Sequence, residues 1–173
     1  MEIAMGVQQM VALGDDDLRL FPLTGLLPVG QALSVNTTYL IVSLVSTDSV
    51  SSNPILLERP VTETSMRLLL PLLESPYYCP QEVLRASLFC SYKGLLAGLF
   101  SPDSAAREEW QMIVAEQRLL LQQAQKQGTW KKDLKPVYNA LSRLRPKLHP
   151  FGLEIAISSS YSAYRLVSLH FPR

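Results

Sequence analysis

Residues 133–148 read DLKPVYNALSRLRPKL, and the interpretation of the whole chain turns on them. Leu134, Val137, Leu141, Leu144 and Leu148 recur at three- and four-residue spacing, which at about 100° per residue gathers them into one stripe along a helix. That stripe is predicted to be core. The same rotation places Lys135, Asn139, Ser142 and Arg143 on the opposite side, where amide, hydroxyl and guanidinium groups match phosphates and base edges. Every surface helix has a polar face, so the pattern alone does not separate a solvated surface from a reader of nucleic acid. The charge distribution and the flanking segments carry the distinction further.

With 173 residues, 47% apolar and 18% charged, the chain has the composition of an ordered globular protein, one domain or one domain with a satellite. The formal net charge of +1 conceals a polarity. Residues 1–125 hold seven Lys/Arg against thirteen Asp/Glu, a net −6, whereas residues 126–173 hold nine against two, a net +7. One basic region inside a near-neutral chain is the pattern of a protein with a single anion-facing element.

Cys79 and Cys90 are the only cysteines, too few for a disulfide framework and without the spacing of a zinc site, so both are expected reduced and half-buried. The start of the chain, MEIAMGVQQMVALGDDD, has no basic region of a secretory signal, and no run reaches the roughly 18 apolar residues of a membrane span. A cytoplasmic protein without a membrane partner is expected, associated with the nucleoid when bound to DNA. The only histidines, His149 and His170, are not accompanied by a nucleophile motif, a Gly-rich phosphate loop or metal-ligand spacing. The expectation is therefore a protein that is not an enzyme and has no cofactor.

Along residues 1–60, prolines, glycines and Ser/Thr/Asn clusters punctuate short apolar runs. Residues 39–45 (YLIVSLV) form the clearest strand, with others expected at 55–58 and, more weakly, 18–23. From Thr62 the period becomes helical through Met66, Leu69, Leu70 and Leu73, with a kink or early end at Pro71. A second helix should open near Pro80 and run through Val83, Leu84, Leu88 and Phe89. Gly94 and Gly98 are expected to loosen the chain before a long helix over about 103–127, stopped by Gly128. On it Trp110, Ile113, Val114, Leu120, Leu121 and Ala124 share one face. Met112 and Leu119 fall on the other, among polar residues, where they are candidates for a dimer or partner contact. After the basic helix, residues 153–157 and 164–169 read as the two strands of a hairpin.

The run Val137 to Leu148, then Ile155-Ala156-Ile157, then Ala163-Tyr164-Arg165-Leu166, resembles the third helix and wing of the winged-helix effector domain of OmpR/PhoB-type response regulators. Ser142-Arg143-Leu144-Arg145, Lys147-Leu148 and Tyr164-Arg165-Leu166 fall in register with that family's pattern, and Val61-Thr62 with Met66, Leu68 and Leu69 is similar to its first helix. The departures are Pro146 in place of a basic residue, expected to stop or bend the helix, Ala163 in place of the wing glycine, Pro71, and residues 93–130 in place of a short loop. Within these 173 residues no phosphoacceptor receiver domain is expected.

The resemblance implies an α+β fold, a winged helix-turn-helix with an N-terminal β-sheet and a long inserted helix before the recognition helix. A β-rich part over residues 1–60 would pack on a helical core over residues 61–173. It implies a sequence-specific transcriptional regulator of double-stranded DNA, with Lys131, Lys132, Lys135, Asn139, Ser142, Arg143 and Lys147 of the helix, and Ser159, Ser160, Tyr161 and Arg165 of the wing, facing the duplex. Further expected partners are a second copy, through Met112 and Leu119, and RNA polymerase or another regulator. The alternative is a winged helix used for protein interaction or dimerisation without sequence-specific DNA binding.

Overall fold

The computed structural model describes residues 17–48, 54–158 and 162–169, and the chain divides into two compact units, residues 1–62 and 63–173. In the first, β1 (Leu18–Phe21), β2 (Gln31–Asn36), β3 (Ile41–Ser46) and β4 (Ile55–Pro60) form an antiparallel sheet in the order β1-β2-β3-β4. Three of these strands fall where apolar runs predicted them. β2 was not anticipated, although Ala32, Leu33 and Val35 are its buried residues. Its hairpin with β3 is set by Asn36, whose Oδ1 accepts from the amides of Thr38 (3.0 Å) and Tyr39 (2.8 Å), while Leu40 takes a φ of 58°. An Asx turn of this kind fixes register, and the register runs from Asn36↔Ile41 to Gln31↔Ser46.

The second unit contains, among its described residues, five helices: α1 (Glu63–Glu74), α2 (Gln81–Phe89), α3 (Tyr92–Phe100), α4 (Ser104–Gln127) and α5 (Trp130–Leu148). A short β5 (Cys79–Pro80) lies between α1 and α2, and a 3-10 turn at His149–Phe151 leads from α5 into β6 (Leu153–Ile157) and β7 (Ala163–Ser168). These strands form a small sheet in the order β5-β7-β6, all antiparallel. Among its described residues the protein is thus α+β, with a four-stranded antiparallel sheet, five helices and a second, smaller sheet.

Helix α1 is the hub of this unit: Met66, Leu68, Leu69, Leu70, Leu72 and Leu73 are all buried, as expected of a helix apolar on every side. Of the two outcomes expected at Pro71, a kink or an early end, the early end does not occur: α1 runs on to Glu74. Burial of Pro71 among these leucines offsets the lost backbone hydrogen bond. Pro146 likewise does not stop α5, which continues to Leu148. Both Pro136 and Pro146 lie on its exposed side, so the carbonyls they leave unpaired face solvent.

The stretch expected to be loose around Gly94 and Gly98 is a helix, α3, capped by Ser91 Oγ accepting from the Gly94 amide at 3.0 Å. Its Leu95 packs with Ala86, Trp110 and Val114 in an apolar cluster joining α2, α3 and α4. Helix α4 starts with Asp103 as its N-cap, accepting from the Ala105 amide, and stops at Gly128 with φ 75°. Trp110, Val114, Leu121 and Ala124 are buried as expected, whereas Leu120, expected on the same face, is 44% exposed.

Cys79 is fully buried and its thiol is pushed up to about 12, first by desolvation and then by the Glu82 carboxylate; Cys90 is half-buried. Both are free thiols. Among the described residues no helix is long and apolar enough to cross a membrane.

Candidate nucleic-acid interface

Helix α5 has two faces set by its own rotation. Leu134, Val137, Ala140, Leu141, Leu144 and Leu148 are buried, and Lys131, Lys132, Lys135, Asn139, Ser142 and Arg143 are exposed. Six of the polar residues singled out in the sequence therefore occupy one outward arc. The arc also holds Tyr138, 37% exposed, whose phenol is pushed up by burial. Sequence reading gave Tyr138 no role, although its helical position, beside Lys131 at the edge of the arc in projection, was enough to place it. Along α5, Asn139 and Arg143 are one turn apart, about 6 Å of axial rise.

The buried side of α5 is held by polar ties as well as by packing. Arg85 of α2 donates through Nε to the Asp133 carbonyl at 3.1 Å and through Nη1 to Gln117 Oε1 of α4, with its guanidinium 4.9 Å from the Phe89 ring centroid. One side chain thus fastens both the inserted helix and the first turn of α5 to α2. No sequence motif marks Arg85, because its partners are 32 and 48 residues away. An ion pair, Arg118 to Glu82 at 2.7 Å, also joins α4 to α2. Gly128 and Thr129 alone separate α4 from α5, and the Thr129 amide donates to the Ala124 carbonyl at 2.8 Å.

At the other end, Glu154 of β6 accepts from His149 (2.6 Å) and lies 3.6 Å from Arg145 Nε. Desolvation would raise the Glu154 carboxyl, but the Ile155 amide, His149 and Arg145 together outweigh it and hold the group below its ordinary value of 4.5. A carboxyl whose folded pKa lies below its unfolded one adds stability above the unfolded value and loses it as pH falls through the folded value. Glu154→Gln is accordingly expected to melt below wild type at neutral pH, with the difference shrinking as the pH falls below the ordinary carboxyl value of 4.5 and on through the lowered folded value. Melting curves across that range check it; a constant difference would mean that the carboxylate charge contributes nothing.

The remaining candidates are placed differently. Lys147 is half-buried and donates from Nζ to Ser65 Oγ of α1 at 3.1 Å. Arg165 is half-buried on the hairpin face that also carries Glu154, Ala156 and Val167, opposite Ala156 in the register. Ser159, Ser160 and Tyr161 lie outside the described residues. On α4, Met112 and Leu119 are 72% and 61% exposed.

No three His, Cys, Asp or Glu side chains come together as a metal-binding group among the described residues. A cleft of about 420 Å³ opens beside Gln81, Gln122, Gln125 and Trp130, but its charged groups, Glu82 and Arg118, neutralise each other. Comparison of the chain with protein-family models, curated proteins and solved structures gives no match.

Proposed function

We propose that the chain is a sequence-specific regulator that binds double-stranded DNA, with the outward arc of α5 in the major groove and the β6–β7 hairpin beside it as a wing. The observation that carries this reading is the arc itself. Lys131, Lys132, Lys135 and Arg143 stand exposed together with Asn139 and Ser142, while Arg85, Arg118 and Arg145 are committed to contacts inside the fold. The element order supports it: α1, α2, basic helix and hairpin follow one another as in a winged helix-turn-helix, preceded by a four-stranded sheet, with α3 and α4 inserted before the basic helix.

The roles separate by chemistry. Lysines are flexible point charges suited to phosphates, each adding about 0.9 to the magnitude of the log–log salt slope. Asn139 matches adenine and Arg143 matches guanine, each worth about 1–3 kcal/mol of discrimination. Their separation of about 6 Å spans between one and two base steps of about 3.4 Å. The test begins with retardation of genomic fragments at two salt concentrations and continues with Arg143→Ala against Lys132→Ala on a specific and a scrambled duplex. Lys132→Ala should weaken both duplexes alike. Arg143→Ala should weaken the specific one more, by about tenfold or above. Equal losses throughout would mean that α5 grips DNA without reading it, and no retardation at low salt would end the proposal.

The second reading, a winged helix serving as a protein-interaction or dimerisation module, is favoured by one observation, the exposure of Met112 and Leu119.

A further inference from the structure

Helix α4 carries apolar residues on two opposite arcs, and the fold uses one. Trp110, Val114, Leu121 and Ala124 face inward. Met112, Leu119 and Leu120 are 72%, 61% and 44% exposed, and Met112 and Leu119 share an open groove with Glu109, Ile113, Ala115 and Glu116. Glu109 and Glu116 are seven residues apart, as are Met112 and Leu119, so each pair repeats after two turns on nearly the same line. In helical projection the carboxylates stand between Met112 and Leu119 on one side and Ile113 and Leu120 on the other. Neither carboxylate has an ion-pair partner among the described residues. The cations nearest along the helix, Arg107 and Arg118, each two residues from a carboxylate, fall on the other side in projection, and Arg118 pairs with Glu82.

We propose that this groove docks an amphipathic helix of another protein, with Lys or Arg seven residues apart over Glu109 and Glu116 and flanking Leu, Ile or Met side chains against Met112, Leu119 and Leu120. The charge row decides the occupant. A two-fold pairing of α4 with a second copy would set the same carboxylate-lined groove against itself, placing like charges together. It would also bury little: a 24-residue helix is about 36 Å long, and a stripe about 10 Å wide gives roughly 700 Å² over both partners, below the roughly 1,200–2,000 Å² of stable complexes. A short, transient helix-in-groove contact fits that area and charge. This inference does not rest on DNA binding, because it concerns α4 and not the arc of α5.

The test uses the full chain and two labelled 18-residue model helices that share one leucine pattern, one with lysines at the central positions and the other with glutamates. Fluorescence anisotropy should show the lysine helix binding at least about tenfold tighter, with an affinity that falls as salt rises. Glu109→Gln with Glu116→Gln should erase most of that preference and flatten the salt dependence. Met112→Ser with Leu119→Ser should weaken binding by about tenfold, and Glu74→Gln, exposed at the end of α1, should change nothing. All these sites are exposed, so melting curves should match wild type, and DNA retardation should be unaffected. Equal binding of the two helices, or indifference to the groove substitutions, would overturn the proposal. So would a wild-type dimer in sedimentation that Met112→Ser with Leu119→Ser dissociates, which would assign the groove to a second copy.

Discussion

Leu144→Ala is expected to lower stability by about 2–5 kcal/mol, the range for a buried leucine cut back to alanine where the cavity does not fully collapse. Leu144 has no exposed surface and Leu141, three residues earlier on the same stripe, has 2%. For a protein of this size the loss corresponds to a fall in Tm of about 4–20 °C. Its neighbour provides the contrast. Arg143 is exposed, and Arg143→Ala should stay within about 0.5 kcal/mol of wild type. Adjacent residues on one helix would then divide cleanly, Leu144 acting on the melt and Arg143 on the duplex. A Leu144→Ala melt within error of wild type would show that the stripe is not packed as described.

That division was legible in the sequence because it depends on rotation alone. All five residues of the predicted stripe, Leu134 to Leu148, are buried, and Lys135, Asn139, Ser142 and Arg143 between them are exposed because a helix that buries one arc has to present the other. What rotation does not encode is how the helix ends. The basic helix was expected to begin at Asp133; it begins at Trp130, because Gly128 in the left-handed conformation stops α4 and the chain re-enters a helix after a single further residue. Pro71 and Pro146 do not end their helices, for a related reason. Their cost of about 3 kcal/mol is a local one, and the packing of α1 and the solvation of the outer side of α5 offset it.

Long-range polar contacts were not legible at all. Arg67, Arg85, Arg118 and Arg145 look like surface cations in the sequence. Arg67 donates to the carbonyls of Ser87 (3.1 Å) and Cys90 (2.6 Å) at the end of α2, where a cation also favours the helix dipole. Arg85, Arg118 and Arg145 bind partners on other elements. Not all nine cations of residues 126–173 are therefore open to a partner, since Arg145 faces Glu154 and Lys147 is tied to Ser65. The strand β2 escaped notice because polar residues fill its intermediate positions and its partner is supplied by the Asn36 turn rather than by its own composition.

Gly98→Ala is expected to destabilise the second unit by about 1–3 kcal/mol, although a helical glycine replaced by alanine ordinarily gains about 1 kcal/mol. A methyl built on Gly98 would stand 2.5 Å from the Trp110 Cβ and 2.6 Å from its Cγ. Those atoms sit at the root of a buried side chain, next to the backbone of α4, so rotating the indole relieves neither contact. Helices α3 and α4 would have to separate, and the cluster of Leu95, Trp110, Val114 and Ala86 would loosen with them. Gly94, one turn earlier on the same helix, meets only the Ser91 hydroxyl, at 2.8 Å, and a hydroxyl can turn aside. Gly94→Ala should therefore come out near neutral, its gain in helix propensity set against part of the Ser91 cap. The two glycines that looked in the sequence like equivalent points of looseness would then differ by about 1–3 kcal/mol in chemical denaturation. Gly98→Val, which adds two further carbons and a branched side chain, should fall at or beyond the upper end of that range. If Gly98→Ala instead raised the denaturation midpoint as Gly-to-Ala changes in open helices do, the close approach of α3 to Trp110 would be refuted, and with it the account of how α4 is held beside α2.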